Sequence, residues 1–81
     1  MRAAYSVQFV RQLDAAPARI KRAFAKQLVF LLDNLRHPSL DAKKYDAARD
    51  LWQARVNGGW RFYFRIEGDC YFLESIRPHP K

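Results

Sequence analysis

The sequence predicts an α+β domain: an N-terminal strand, one short and one long helix, and an antiparallel sheet that ends in a three-stranded meander. Glycine-containing breaks at 57–59 and 68–69 divide the segment 51–79 into runs rich in aromatic, β-branched and basic residues. Such runs, separated by tight-turn residues, are typical of antiparallel strands. Upstream, apolar residues recur at spacings of three and four, which is the period of a helix with one apolar face. The long helix is therefore expected to cover one face of the sheet.

The composition fits one compact domain over residues 1–81. The chain is 49% hydrophobic and 15% aromatic, which is enough for a core and too apolar for a disordered segment. Cys70 is the single cysteine and no Cys/His cluster has zinc-site spacing, so no disulfide, metal or other cofactor is expected. The sequence has no apolar run of transmembrane length and no signal-peptide pattern. These features predict a cytoplasmic protein without a membrane partner.

The positive charge is the strongest global feature of the chain. The formal net charge is +7 at pH 7. A small domain this basic is attracted to polyanions such as nucleic acid, an acidic protein or an anionic membrane surface. The alternative is that the excess charge only keeps a small protein in solution.

The N-terminal half is expected to be mainly helical after its first strand. That strand is expected over residues 5–10, because apolar and polar side chains alternate there, and a helical turn over 11–15. A long helix is expected from Pro17 to about Leu35, since proline is favoured at the first helical position. The residue before a proline is disfavoured in a helix, so Pro38 ends it. The predicted apolar stripe of this helix consists of Ile20, Phe24, Leu28, Leu31 and Leu35.

Two features of this half leave alternatives open. Val29 and Phe30 lie off the apolar stripe, so either a short preceding helix covers them or they are exposed for a partner. The polar segment 38–50 has no clear period. We interpret it as a connection with a helical turn over 41–45.

The loop lengths decide which meander residues share a face, because directly opposed residues lie on the same side of a sheet. A two-residue loop at 68–69 pairs Glu67 with Cys70, Arg65 with Phe72, Phe64 with Leu73, Tyr63 with Glu74, and Arg61 with Ile76. In the first hairpin, a two-residue loop at 58–59 would place Trp52 on the charged face. A three-residue loop at 57–59 with a left-handed glycine is therefore preferred. It pairs Arg55 with Arg61, Ala54 with Phe62, and Trp52 with Phe64.

The predicted sheet has two chemically different faces. The face that packs on the helix carries Trp52, Phe62, Phe64, Ile66 and Leu73. The opposite, basic face carries Gln53, Arg55, Arg61, Tyr63, Arg65 and Glu74. Arg77 and His79 end the last strand close to Arg61.

The basic face is expected to bind RNA. Guanidinium groups present paired donors to phosphate, and an aromatic ring such as Tyr63 can stack on a base. His79 is the best candidate for proton transfer, because histidine titrates near neutrality. The expected binding residues are Arg65, Tyr63, Gln53, Arg77, Lys43 and Lys44. The alternative is a solvated face whose arginine stems only cover apolar surface.

The order of motifs resembles the RelE/ParE superfamily of bacterial toxin–antitoxin toxins. The resemblance covers essentially the whole chain and rests on W-x-A-R-V, then G-W-R-F-Y-F-R-I-x-G-D, then I-R-P-H. It is nearest the RelE/YoeB-like branch, which implies a ribosome-dependent mRNA endoribonuclease that uses 2′-hydroxyl attack without a metal. It also implies two partners, a cognate antitoxin and mRNA on the ribosome. By position, it implies that Arg61 and Arg55 stabilise the phosphate and that His79 acts as the general acid.

Two positions depart from the YoeB-like pattern. Pro80 stands where that branch has a tyrosine. The glutamate that serves as base has no clear counterpart, and Asp41 and Asp46 lie nearest. Three other functions therefore stay open: a ParE-like gyrase poison, a catalytically decayed toxin that binds its partner, and a plain RNA-binding module.

Overall fold

A computed structural model describes residues 1–80 as two helices packed on one face of a five-stranded sheet. The elements are β1 (Arg2–Tyr5), α1 (Val7–Ala15), α2 (Ala18–Asp33), a 3₁₀ turn (Pro38–Leu40), β2 (Lys43–Asp46), β3 (Leu51–Asn57), β4 (Trp60–Glu67) and β5 (Cys70–Pro78). The strand order is β1-β5-β4-β3-β2. The predicted α+β class and the β3–β5 meander are confirmed. The sheet is mixed rather than purely antiparallel, because β1 runs parallel to β5.

The N-terminal strand lies earlier than the alternation predicted. The strand ends at Tyr5, and Ser6 caps α1 by accepting a hydrogen bond from the Phe9 amide at 2.9 Å. Serine is a favoured cap because its hydroxyl satisfies an otherwise unpaired amide. Phe9 is fully buried while Val7 is 69% exposed, so the burial follows a helical and not a strand period. The prediction of a strand over 5–10 is therefore wrong for every residue after Tyr5.

The long helix is confirmed, with shorter limits. Pro17 is its cap residue and Asn34 ends it, so it stops before Leu35. Ile20, Phe24 and Leu31 are buried as predicted, and Leu28 and Leu35 are partly buried. The stripe packs through aromatic contacts: Phe24 lies 5.2 Å from Phe9 and 5.4 Å from Phe62 between ring centroids. None of the helices in the described part of the chain is long and apolar enough to cross a membrane.

The segment between α2 and β3 contains a strand that the sequence reading missed. Residues 43–46 form β2, which pairs antiparallel with β3, so the helical turn predicted over 41–45 is wrong. The only helical turn of this segment is the earlier 3₁₀ turn, which buries Leu40 completely. The sequence shows no alternation of apolar and polar residues here, because β2 is a short edge strand whose residues are largely exposed.

One-residue bulges interrupt three ladders of the sheet, at Tyr45 in β2, Val56 in β3 and Glu74 in β5. In the first hairpin, Val56 is the extra residue and Asn57 pairs with Trp60 across Gly58 and Gly59. The predicted pairs of Arg55, Ala54 and Trp52 are therefore right, but the predicted left-handed glycine is not there. The single positive-φ glycine of residues 1–80 is Gly68, at φ 59°, in the second hairpin.

The bulge at Glu74 changes the far end of β5. The predicted pairs from Glu67–Cys70 to Phe64–Leu73 are confirmed. Beyond the bulge, Tyr63 pairs with Ser75 and Arg61 pairs with Arg77, so the predicted partners Glu74 and Ile76 are wrong. The physical reason is burial: Leu73 and Ile76 are both core residues, and a regular strand cannot place residues three apart on one face.

Candidate nucleic-acid interface

The sheet face opposite the helices carries a cross-strand row of arginines. Arg55 on β3 pairs with Arg61 on β4, and Arg61 pairs with Arg77 on β5. We call these residues the arginine row, and the face that carries them the open face. Like charges directly opposite one another destabilise a sheet. A row of this kind is therefore better explained by an anionic ligand than by stability.

Each guanidinium of the arginine row is held differently. Arg61 donates from Nη1 to the carbonyls of Asn57 and Trp60, at 2.6 and 2.9 Å. The Arg77 guanidinium carbon lies 4.2 Å from the centroid of the Tyr63 ring, which is cation–π distance. Arg55 Nη2 lies 3.9 Å from a carboxylate oxygen of Asp41, with both side chains about half exposed. Such a loose, exposed pair contributes little stability and leaves Arg55 available to a phosphate.

Beside the arginine row lies a second row of paired residues, formed by Lys43, Gln53, Tyr63 and Ser75. Tyr63 is only 3% exposed, because Arg77 lies over its ring and the ring of Tyr45 packs edge-on at 4.9 Å. A base could not stack on Tyr63 without displacing one of them. Tyr45 is 54% exposed and offers an accessible aromatic ring on the open face.

A cleft of about 480 Å³ adjoins the arginine row at Arg77. It lies between the β2–β3 hairpin and β5, with one residue contributed by α1. Its lining residues are Gln8, Tyr45, Asp46, Arg49, Leu51, Glu74, Ser75 and Arg77. The cleft combines an exposed ring, guanidinium groups and carboxylates, which are the groups that hold a nucleotide.

Two carboxylates lie in this cleft. Glu74 Oε2 lies 2.7 Å from Arg65 Nε, and its other oxygen lies 3.9 Å from Arg49, so Glu74 is neutralised. Asp46 accepts backbone hydrogen bonds on Oδ1 from Ala48 and Arg49, at 3.1 and 3.3 Å. These bonds fix the Asp46 carboxylate at the mouth of the β2–β3 turn.

His79 follows β5 directly and continues its pairing. Its amide donates to the Gly59 carbonyl at 2.8 Å, which ties it to the β3–β4 turn at the Arg61 end of the open face. Strand alternation places His79 on the same side as Arg77. The ring is half-buried, and Nδ1 is inaccessible and has no hydrogen-bond partner among residues 1–80.

The remaining predicted site residues are not all brought to the arginine row. Arg65 lies at the opposite end of β4 and forms ion pairs with Glu67 at 3.1 Å and Glu74 at 2.7 Å. Lys44 pairs with Trp52 on the helix-covered face, lies over the Trp52 ring and forms an ion pair with Asp50. Both are therefore removed from the arginine row.

Lys43 and Gln53 do lie on the open face. Lys43 Nζ is 3.8 Å from Asp41, and Gln53 is 7% exposed. Sequence reasoning missed Tyr45, Arg49 and Ser75, since the first two fall in the segment taken for a connection and the third depends on the β5 bulge. Within residues 1–80, no group of His, Cys, Asp or Glu is arranged to hold a metal ion.

Known structures show the same architecture, although no family model and no curated protein sequence matches the chain. A YoeB/ParE toxin from Agrobacterium tumefaciens superposes with a TM-score of 0.82 at 13% identity, over 99% of this chain and 100% of that one. The chain has the fold of the RelE/ParE toxins. RelE in the RelE–RelB complex from Pyrococcus horikoshii gives a TM-score of 0.76 at 21% identity, over 95% and 92%. YafQ in the Escherichia coli DinJ–YafQ complex gives 0.78 at 15%, over 95% and 90%.

The RelE/ParE resemblance is thus confirmed at the level of the fold. At identities this low, residue roles do not transfer from the neighbours. The roles of Arg61, Arg55 and His79 stay predictions, argued below from the geometry of the open face of this chain.

Proposed function

We propose that this chain is the toxin of a type II toxin–antitoxin pair and that it cleaves mRNA bound to the ribosome. The observation that carries the proposal is the arginine row across β3, β4 and β5, with His79 at the same end of the open face. Such a row suits the dianionic transition state of phosphate-ester cleavage. The RelE/ParE fold supports the same assignment.

The chemistry follows from the groups on the open face. A base removes the proton from an RNA 2′-hydroxyl, whose oxygen attacks the adjacent phosphorus. The bond from phosphorus to the leaving O5′ breaks, and an acid protonates that oxygen. Arg61 and Arg55 stabilise the negative charge on the phosphate oxygens, and His79 is the acid. The products are a 2′,3′-cyclic phosphate and a 5′-hydroxyl, and side chains of the chain itself carry every proposed role.

Asp46 is our candidate for the base. It lies in the cleft that adjoins the arginine row at Arg77, and its carboxylate is fixed through Oδ1. Glu74 lies in the same cleft but is engaged in ion pairs with Arg65 and Arg49, so it is the less available of the two carboxylates. Asp46→Asn keeps the Oδ1 acceptor that stabilises the turn and removes only the ability to accept a proton. We expect it to abolish cleavage while RNA affinity changes by less than about twofold.

The test is an in vitro translation reaction with primer extension on the message. Wild-type protein is expected to cut the message, and Arg61→Ala and His79→Ala are expected to cut it much more slowly. Lys21→Ala is the matched control, because Lys21 is exposed on α2, on the far side of the sheet. Intact message at high protein concentration would overturn the proposal. Inhibition of DNA supercoiling with intact message would identify a gyrase poison instead.

The proposed partner is an antitoxin with an acidic or amphipathic segment. Structures of RelE, YafQ and YoeB neighbours contain RelB, DinJ and YefM. In this chain, a mainly apolar groove of about 310 Å³ runs along α1 and includes Tyr5, Val10 and Leu13. On α2, Val29 is 64% exposed, whereas Phe30 is stacked on His37. Co-expression with the neighbouring reading frame, followed by co-purification, tests this partner.

A further inference from the structure

Gln27 is a buried polar side chain in the middle of α2, on the face that packs against the sheet. It is 3% exposed. Its Nε2 donates to the carbonyls of Ser39 and Arg55, both at 2.9 Å. Its Oε1 accepts a hydrogen bond from the Ser39 hydroxyl at 2.9 Å. Buried amides with this many well-formed bonds fix a geometry, because any displacement leaves polar groups unsatisfied.

One of these bonds reaches the backbone of the arginine row. Arg55 immediately precedes Val56, the extra residue of the β3 bulge. A bulge disrupts the ladder locally, so backbone groups beside it need other partners. Gln27 supplies the donor for the Arg55 carbonyl. The bond therefore holds the strand at the residue from which the row begins.

The other two bonds of Gln27 hold the 3₁₀ turn, which ends beside the Arg55 side chain. Ser39 lies inside that turn, and its amide also donates to His37 Nδ1 at 3.1 Å. The turn ends at Asp41, which has a left-handed φ of 46°. The Asp41 carboxylate lies 3.9 Å from Arg55 Nη2. Gln27 thus anchors both the backbone of Arg55 and the turn that presents a carboxylate to its guanidinium.

We propose that Gln27 is a positioning residue for Arg55, which it holds on the open face where the guanidinium meets an RNA phosphate. The inference rests on the proposed function to the extent that Arg55 contacts RNA. Gln27 forms a polar connection from the buried face of α2 to the arginine row. The helices therefore do more than cover the sheet, because one buried amide sets the position of a phosphate-binding side chain.

A double-mutant cycle tests this connection. The probe is a short single-stranded RNA with 2′-deoxy substitutions that prevent cleavage, and the readout is its dissociation constant. Gln27→Leu is expected to weaken binding about fivefold in the wild-type background, and less than about twofold when Arg55 is already alanine. Equal weakening in both backgrounds would overturn the proposal, because Gln27 would then not act through Arg55.

Two further variants separate positioning from stability. Phe24→Leu removes buried volume from the same helix without touching Arg55, and we expect it to leave RNA affinity within about twofold of wild type. If Phe24→Leu weakens binding as much as Gln27→Leu does, the role of Gln27 is only structural and the proposal fails. Ser39→Ala removes one of the three bonds and stays closer to wild-type stability. Ser39→Ala is expected to weaken RNA binding less than Gln27→Leu does, and to have little effect when Arg55 is already alanine.

Amide hydrogen exchange makes the test independent of RNA. Gln27→Leu is expected to accelerate exchange at residues 55–57 by about tenfold more than Phe24→Leu does. Equal exchange in the two variants would overturn the proposal. If the wild-type chain binds no RNA, the proposed function fails, while the exchange result still decides whether Gln27 positions Arg55.

Discussion

Arg77 lies directly across the β4–β5 ladder from Arg61 because Glu74 is an extra residue in β5. The bulge places Ile76 in the core, at 1% exposure, and turns Arg77 to the open face. Backbone groups around the bulge are satisfied from α1. Ser6 Oγ donates to the Glu74 carbonyl at 2.8 Å, and Gln12 Oε1 accepts from the Ile76 amide at 2.8 Å. The short helix therefore supports the local geometry that completes the arginine row.

Substitution of Ser6 by alanine tests this support. Ser6→Ala removes the helix cap and the hydrogen bond to the bulge, so we expect it to lower the free energy of unfolding by about 1–2 kcal/mol. Urea denaturation measures the change. Ser6→Thr keeps a hydroxyl and is the matched control, with an expected change below about 0.5 kcal/mol. A loss as large for threonine as for alanine would show that the hydroxyl is not responsible.

Arg61 and Arg65 are expected to behave differently although they lie on the same strand. Arg65 is neutralised by Glu67 and Glu74, so Arg65→Ala should change mRNA cleavage by less than about twofold. Arg61→Ala should lower the cleavage rate on the order of 100-fold, because it removes a donor to the developing phosphate charge. Single-turnover cleavage in purified ribosome complexes measures both. Comparable losses of cleavage rate in Arg61→Ala and Arg65→Ala would mean that RNA also contacts the end of the sheet near Gly68.

The strand trio, the long helix and the pairing of Arg55 with Arg61 were predictable, because burial of large aromatic residues fixes them. The strand predicted from the alternation over 5–10 was wrong, since a six-residue window does not distinguish a strand from a capped helix. The pairing of Arg61 with Arg77 was not predicted, because a rule with a fixed period of two does not allow for the extra residue of a bulge. One signal was present: Leu73 and Ile76 are apolar and three residues apart in a strand. That spacing is compatible with a common buried face only if the strand has an extra residue.

Tyr45 is expected to supply the stacking surface that the sequence reading assigned to Tyr63. Tyr45→Ala should weaken binding of uncleavable single-stranded RNA about tenfold, since stacking on one base contributes about 1–3 kcal/mol. Tyr45→Phe keeps the ring and should stay within about twofold of wild type. Fluorescence titration at low salt measures both. Val29→Ala is a control at an exposed apolar residue away from the open face, and a matching loss there would contradict the assignment.

The buried Tyr71 phenol is expected to make the folded state less stable at alkaline pH. Burial raises the pKa of the Tyr71 phenol above its usual value of 10.0, because desolvation disfavours the phenolate. A raised folded-state pKa contributes stability that is fully present below the unfolded pKa and is lost as pH rises through the folded pKa. The free energy of unfolding should therefore fall more steeply above about pH 10 in wild type than in Tyr71→Phe. Parallel curves for the two proteins would show that Tyr71 does not titrate differently on folding.

The proposed function requires that the arginine row, and not the overall charge, binds RNA. The most direct measurement is the affinity for uncleavable single-stranded RNA as a function of salt, for two triple variants of equal net charge. One replaces Arg55, Arg61 and Arg77 by alanine. The other replaces Arg19, Arg22 and Lys26 by alanine; all three are exposed on α2.

We expect the first variant to lose at least about 100-fold in affinity, with a salt slope reduced by about 2, since each phosphate contact on a single strand contributes about 0.7. We expect the affinity of the α2 variant to change by less than about threefold. Equal losses in affinity and slope for the two variants would show that overall charge, and not the arginine row, binds the RNA.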